Sequence, residues 1–252
     1  MEDTLDTLFQ WFCHHRMKVN ESKTQLMVIG TAVMLRGTTG VSVTFNGSQI
    51  RDSEAVKNLG VTMDRNLSYQ AHIDAMTRRC TGMLIALNHS RLVIPNATLA
   101  TLIQALVISA VRYCISVYGS CNATQLKCVQ KVINFSARVV SGRRRHDHVS
   151  DIVKRLGWLN ARQLVEYHAV SMVHSVVASG LPDSIFCTIG LPANQRHAHA
   201  TRNADRLTVP RARTEAGKRR LCYRGVTMYN TARVNKDDPH YRKTLRRDIL
   251  SR

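Results

Sequence analysis

Apolar positions along the chain follow two periods, and the change between them falls near residue 67. Ahead of it, Leu5, Leu8, Phe9 and Phe12 recur at helical spacing and predict a helix over residues 4–16 with one buried face. Gln25–Ile29 is a short β-like run that stops at Gly30. Residues 41–45 alternate apolar and polar, Asn46-Gly47 is a strong turn pair, and residues 48–50 resume the alternation, which predicts a hairpin. A further strand is expected over residues 55–63, broken at Gly60. This opening is a small α+β unit.

After Leu67 the period is 3.6. Ser68 is an expected N-cap for a helix with Ile73, Met76, Cys80, Met83, Leu84 and Leu87 on one face. A second helix starts at Pro95-Asn96 and runs to Tyr113, and a third carries Leu126 to Val140 and stops at Ser141-Gly142. A short piece ends at Gly157, and a longer helix spans residues 160–179 until Gly180-Leu-Pro182 closes it. Short connections between these helices predict a bundle. Residues 193–220 hold few apolar residues and many Arg and His, so an extended or disordered basic segment is expected there. Short helices are predicted over residues 221–232 and 240–250.

Charge adds direction to this picture. The 252 residues carry a formal net charge of +19, unevenly placed. Residues 1–70 hold 7 Lys/Arg against 7 Asp/Glu, whereas residues 71–160 and 161–252 carry excesses of +9 and +10. Such an excess implies a polyanionic partner, most simply nucleic acid. Two groups concentrate it: Arg143-Arg144-Arg145 with Lys154-Arg155, and Arg211, Arg213, Lys218, Arg219 and Arg220. Groups of this kind hold phosphates by charge and read little sequence. Few aromatics interleave with them, which argues against base stacking, and nuclear localisation is a rival role for either.

Seven widely spaced cysteines, an odd number, read as reduced and mostly buried thiols of an intracellular protein, cytoplasmic or nuclear. The acidic N-terminus (Glu2, Asp3, Asp6) has no signal-peptide profile. Residues 101–118, the most apolar stretch, include Gln104 and Arg112 and are too short and polar for a membrane span. His146-Asp-His148 and His197-Ala-His199 have no paired cysteines of zinc-site spacing, so no metal site is expected. Cys13-His14-His15 are adjacent on a helix and point different ways. No phosphate loop, G-x-S-x-G elbow or dinucleotide fingerprint occurs.

Two phrases carry more. Lys18-Val-Asn-Glu-Ser-Lys23-Thr-Gln-Leu-Met-Val-Ile-Gly30 and Lys57-Asn-Leu-Gly-Val-Thr-Met-Asp64 each set a short apolar run beside a basic residue. In this order and spacing they resemble the last two palm motifs of reverse transcriptases from non-long-terminal-repeat, jockey-like retrotransposons. The likeness runs best over residues 10–182 and is closest to tick-type transposon proteins. It includes Trp11-Phe12, His72-Ile73, Arg112-Tyr-Cys114, Gln130-Lys-Val-Ile-Asn134, Leu156-Gly-Trp-Leu159, Thr201-Arg202 and Pro210-Arg-Ala-Arg213.

The resemblance implies an α+β palm remnant over residues 1–66, a mainly α-helical thumb bundle over 67–182, and a partly disordered basic C-terminal segment over 183–252. Lys23 would match the motif-D lysine, a cation placed to stabilise the departing pyrophosphate. Asn58, Leu59, Gly60 and Val61 would match motif E, the primer-grip hairpin, where a glycine lets the backbone approach a nucleic-acid strand. The family's Tyr/Phe-x-Asp-Asp turn and its earlier metal-binding Asp have no counterpart here, and the chain is expected to begin after both. Asp237-Asp238 lies in Asn-Lys-Asp-Asp-Pro-His, with no apolar strand leading into it. Two-metal phosphoryl transfer needs those carboxylates. The expectation is therefore a catalytically silent fragment without a cofactor of its own, although the intact family enzyme uses Mg²⁺. RNA and DNA template-primer would be its partners, with no membrane involved. A free nucleic-acid-binding protein exapted from such a fragment is the alternative.

Overall fold

A computed structural model describes residues 2–38, 40–189 and 206–252. His197-Ala-His199, Thr201-Arg202 and residues 193–205 of the expected basic segment lie outside the described residues. The described residues are mostly helical with four short antiparallel strands, an α+β composition. It divides into two compact units, Met1–Asp74 and Ala75–Arg252.

The first unit opens with α1 (Glu2–His14). Phe9 meets Phe45 edge-on with ring centroids 5.8 Å apart. Leu8 stays largely exposed, so the buried face is narrower than its spacing predicts. A short 3-10 turn (Glu21–Lys23) is pinned by its Glu21 carboxylate, which accepts from the Asn46 amide and, at 2.7 Å, from the Ser48 hydroxyl. These two hydrogen bonds, Ser48's foremost, hold the Glu21 carboxyl below its usual range. After the single-turn α2 (Ala32–Leu35), strands β1 (Ser42–Phe45) and β2 (Ser48–Arg51) pair around Asn46-Gly47. Both turn residues have positive φ, the geometry that matches strand twist in a two-residue hairpin.

Two expectations change here. The strand predicted over residues 55–63 is a second hairpin, β3 (Ala55–Asn58) and β4 (Val61–Asp64), folded back at Leu59-Gly60. The run predicted over residues 25–29 makes only one bridge, Leu26 to Asp52. Its hydrogen bonds are divided: Ser53 N–H donates to Leu26 and Gly30 N–H donates to the Arg65 carbonyl. Served by two separate partners, it has no ladder to join. Arg65 closes this arrangement. Its guanidinium pairs with Asp52 at 2.5 Å and donates to the Thr38 and Val28 carbonyls.

Asp64 ends β4 and starts α3 (Gln70–His89). Its carboxylate accepts from the N–H groups of Asn66, Ser68 and Tyr69 and from the Ser68 hydroxyl. Burial alone would raise this carboxyl; the four hydrogen bonds outweigh it and leave it below the ordinary range. The Ser68 hydroxyl reaches the Gln70 N–H at 3.3 Å, so the expected serine cap is present with an aspartate behind it.

In the second unit, α3 buries Met76, Cys80 and Leu84. The helix expected from residue 96 runs as α4 (Asn96–Ile103), a π-helical turn (Gln104–Ile108) and α5 (Ser109–Arg112) without a break. Gln104, polar in an apolar stretch, accepts from the Trp158 indole at 3.2 Å. A left-handed Cys114 turns the chain into α6 (Ile115–Tyr118). Next come α7 (Ala123–Ser141), α8 (Ser150–Arg155), α9 (Ala161–Ser179) and α10 (Asp183–Ile189). Asn122 with Gln125 and Asn160 with Gln163 form reciprocal capping boxes, and left-handed Gly142 and Gly180 end the two long helices.

Beyond them lie α11 (Glu215–Arg219), α12 (Leu221–Thr231) and α13 (Tyr241–Ser251). Helix α9 is the centre: α6, α7, α10, α12 and α13 all pack on it. Gly225 lets α12 come close, since a Cβ there would sit 2.9 Å from Val173. Val226, Tyr229, Tyr241, Leu245 and Ile249 bury the inner faces of the last two helices. The described part of the basic segment is also anchored: Leu207 is buried and exchanges two hydrogen bonds with the Asn230 amide. No single described helix is long and apolar enough to cross a membrane. The seven cysteines are free thiols, but only Cys80 is buried, and Cys13 and Cys187 are exposed.

Candidate nucleic-acid interface

In the first unit the candidate residues sit on two turns. Lys23 is exposed at the end of the 3-10 turn. At the second hairpin, Leu59 (φ 45°) and Gly60 (φ 82°) make a two-residue turn. Glycine takes this conformation freely, whereas leucine takes it at a cost of order 1 kcal/mol. Leu59 is nonetheless 83 % exposed, so its side chain gains little burial in return. Asn58 and Gly60 share the exposed tip, while Val61 is 4 % exposed and belongs to the core. Of the four motif residues, three can reach a ligand and Val61 cannot.

In the second unit, the loop after α7 and the first turn of α8 bring the first basic group together through one acid. Arg143 makes a two-pronged pair with Asp151 (3.0 and 2.9 Å) and also donates to the His148 carbonyl. Arg155 reaches the same carboxylate at 3.3 Å. Burial would raise the Asp151 carboxyl, but Arg143, by hydrogen bond and charge, carries it below the ordinary range. Arg143 and Arg155 are thus partly neutralised, and Arg143 chiefly shapes the loop. The Arg144, Arg145 and Lys154 side chains are exposed and make no ion pair among the described residues, although the Arg144 N–H donates to the Asp147 carboxylate at 2.8 Å. The α3–α4 loop supplies a further cation that charge counting along the chain misses. The Arg91 guanidinium lies over Gly142, so that a Cβ there would meet Nη2 at 2.9 Å.

The second basic group leads into α12. Arg211, Arg213, Arg219 and Arg220 are exposed, and Lys218 is held by Glu215 at 2.6 Å. Arg219 and Arg224 lie close enough to Cys121 to offset part of the burial that raises its thiol. No described hydrogen bond or ion pair joins this group to the first. Asp237-Asp238 does not form a metal site. The Asp238 carboxylate accepts from His240 N–H at 2.7 Å, and hydrogen bonds from Thr244 first and His240 second hold it below the ordinary range. Among the described residues no group of three or more His, Cys, Asp or Glu could hold a metal ion.

Two histidines of α9, His168 and His174, lie within reach of the Arg242 charge, and His168 also meets Arg112. The Arg112 guanidinium stands 3.4 Å from His168 Nε2. Burial first, then Arg112 and Arg242, pushes the His168 imidazole down to about 4. A histidine depressed in the fold binds a proton more readily when unfolded, so its contribution is complete above the unfolded value of about 6.5. It is lost as the pH falls toward 4. Thermal denaturation followed from pH 7 to pH 4 should show this loss, and His168→Gln should flatten the dependence; an unchanged profile would remove His168 from the account.

Sequence reasoning passed over Arg242, Lys243, Arg246 and Arg247, although their placement around Leu245 and Ile249 marks a basic outer face on an amphipathic helix. No protein-family model, no curated protein and no solved structure matches the chain, so chemistry and placement carry the reading of these residues.

Proposed function

We propose that the chain is the C-terminal part, palm end plus thumb, of a jockey-like non-long-terminal-repeat reverse transcriptase. On this reading it holds template-primer and performs no polymerisation alone. The observation that carries the reading is the Leu59-Gly60 turn. The string that resembles the primer-grip motif folds as a hairpin, with an exposed apolar residue in a costly backbone conformation at its tip. A strained, solvent-facing leucine is unfavourable for an isolated fold and useful for pressing against a nucleic-acid strand. The helical unit, with its uncompensated Arg144, Arg145 and Lys154, takes the part of the thumb.

A photo-crosslinking residue in place of Leu59 should label the primer strand of a template-primer duplex. Labelling of neither strand, with binding intact, would sink the primer-grip assignment. The chain should not extend a primer with Mg²⁺ or Mn²⁺, because its sequence holds no Asp-Asp turn on a strand. Extension that survives removal of contaminating polymerases would overturn the fragment reading. The +19 charge also suits an exapted nucleic-acid-binding protein. In-frame Asp-bearing palm motifs in the transcript upstream of the Met1 codon decide for the polymerase fragment.

A further inference from the structure

The start of α13 and the end of α9 enclose an open cavity of about 600 Å³ lined by His174, Ser175, His240, Tyr241, Arg242 and Lys243. Four of these six carry nitrogen that is cationic or can become so, and no Asp or Glu lines the cavity. Arg242 is aimed but not neutralised. Its guanidinium donates to the Ser175 hydroxyl at 2.6 Å, while that hydroxyl donates onward to the Ser171 carbonyl at 2.9 Å. Among the described residues Arg242 has no carboxylate partner. Its charge instead falls on the two α9 histidines, adding to the burial that depresses both.

The aromatic wall is equally unsatisfied. His174 stacks on Tyr241 with ring centroids 3.7 Å apart. Tyr241 is 2 % exposed, and neither its hydroxyl nor His174 Nδ1 has a hydrogen-bond partner among the described residues. Both atoms are shielded from solvent, so they lie behind the open cavity rather than facing into it. The cavity also sits at the N-terminus of an eleven-residue helix, but the Asp238 carboxylate already accepts from His240 N–H there, so Arg242 and Lys243 carry the attraction for a further anion.

We infer that this cavity is a phosphate site, with Arg242 and Lys243 supplying charge and the stacked His174–Tyr241 rings supplying an ordered wall. Its occupant is a backbone phosphate of a bound nucleic-acid strand. Naming that occupant rests on the function proposed above; the site itself does not. Inorganic phosphate, titrated at constant ionic strength against chloride, should shift the ring resonances of His174 and Tyr241 saturably. The Arg242→Gln, Lys243→Gln double variant should abolish that shift. Both side chains are exposed, so the variant should keep the wild-type circular dichroism melt.

With a labelled duplex, the double variant should lower the salt slope by roughly two, one per phosphate contact. Arg78→Gln, Arg79→Gln removes the same charge elsewhere on exposed helix surface and should leave the ring resonances unmoved. Absence of a saturable phosphate shift overturns the site. A phosphate shift with an unchanged duplex slope overturns the backbone-phosphate occupant. A phosphate shift in a chain that binds no oligonucleotide upholds the site and overturns the nucleic-acid function.

Discussion

Arg65→Ala should cost the N-terminal unit about 3 kcal/mol, since removing one partner of a buried ion pair leaves the other charge stranded. Arg65 and Asp52 retain only 14 % and 10 % of their side-chain exposure. The guanidinium also ties the Val28 and Thr38 carbonyls to the hairpins, so the variant loses alignment as well as charge. A two-stranded hairpin is marginal by itself, and this unit contains two of them with no shared ladder. Native-state hydrogen exchange at the β1 and β4 amides should therefore accelerate by about two orders of magnitude, following the lost free energy. The Asp52→Ala, Arg65→Ala double variant should recover part of the loss, because no unpaired charge remains. A double variant whose loss equals the sum of the singles would show that the pair contributes nothing as a pair.

The second large effect concerns salt. Binding to duplex should fall by about 10³-fold or more between 50 and 200 mM salt if some six phosphates are neutralised. The charge groups differ in what they can contribute. Arg144→Ala and Arg145→Ala should each lower the slope by roughly one. Arg143→Ala should do less to the slope, because that guanidinium is already committed to Asp151 and the His148 carbonyl. Its removal should loosen the loop between α7 and α8 and free Asp151 to attract Arg155 more fully. The triple variant is thus expected to lose about two units of slope rather than three. Affinity that stays level across this salt range would rule out a phosphate-driven mode.

How much of this was legible follows from the kind of signal each element carries. The longer helices from residue 67 onward were, because their faces repeat at 3.6 and the ends of α7 and α9 are marked by Asn122, Gly142, Asn160 and Gly180. The short α6 and α10 were not, and α11 falls in the segment expected to be extended or disordered. Even α12 and α13 lie within two residues of the expected limits, carried by Val226, Tyr229, Leu245 and Ile249. The second hairpin was read as one strand because its turn is Leu-Gly, and leucine is a poor witness for a left-handed position. The run over residues 25–29 looked like a strand because apolar content says nothing of whether partners line up. The Asp64 cap and the Arg143–Asp151 clamp depend on where a carboxylate points, which no linear count of charges gives. The cavity at α13 was invisible for the same reason: His174 and Tyr241 are 67 residues apart and meet only when α13 docks.

The docking of α13 on α9 sets a schedule for biosynthesis. Helix α9 leaves the ribosome well before residues 241–251, and at about 5–20 residues per second the interval lasts seconds. Until α12 emerges, Val173 lacks the Gly225 backbone that packs on it, and until α13 follows, the Gln163 amide lacks the Ile249 carbonyl that it finally reaches at 2.8 Å. Such a nascent chain displays an apolar helix face on a strongly basic polypeptide, beside an RNA-rich machine that attracts it. The Gln163–Ile249 hydrogen bond therefore closes only once the last turn of α13 is out. Translation stalled or terminated before Leu245 yields a species suited to holdase chaperones rather than to release.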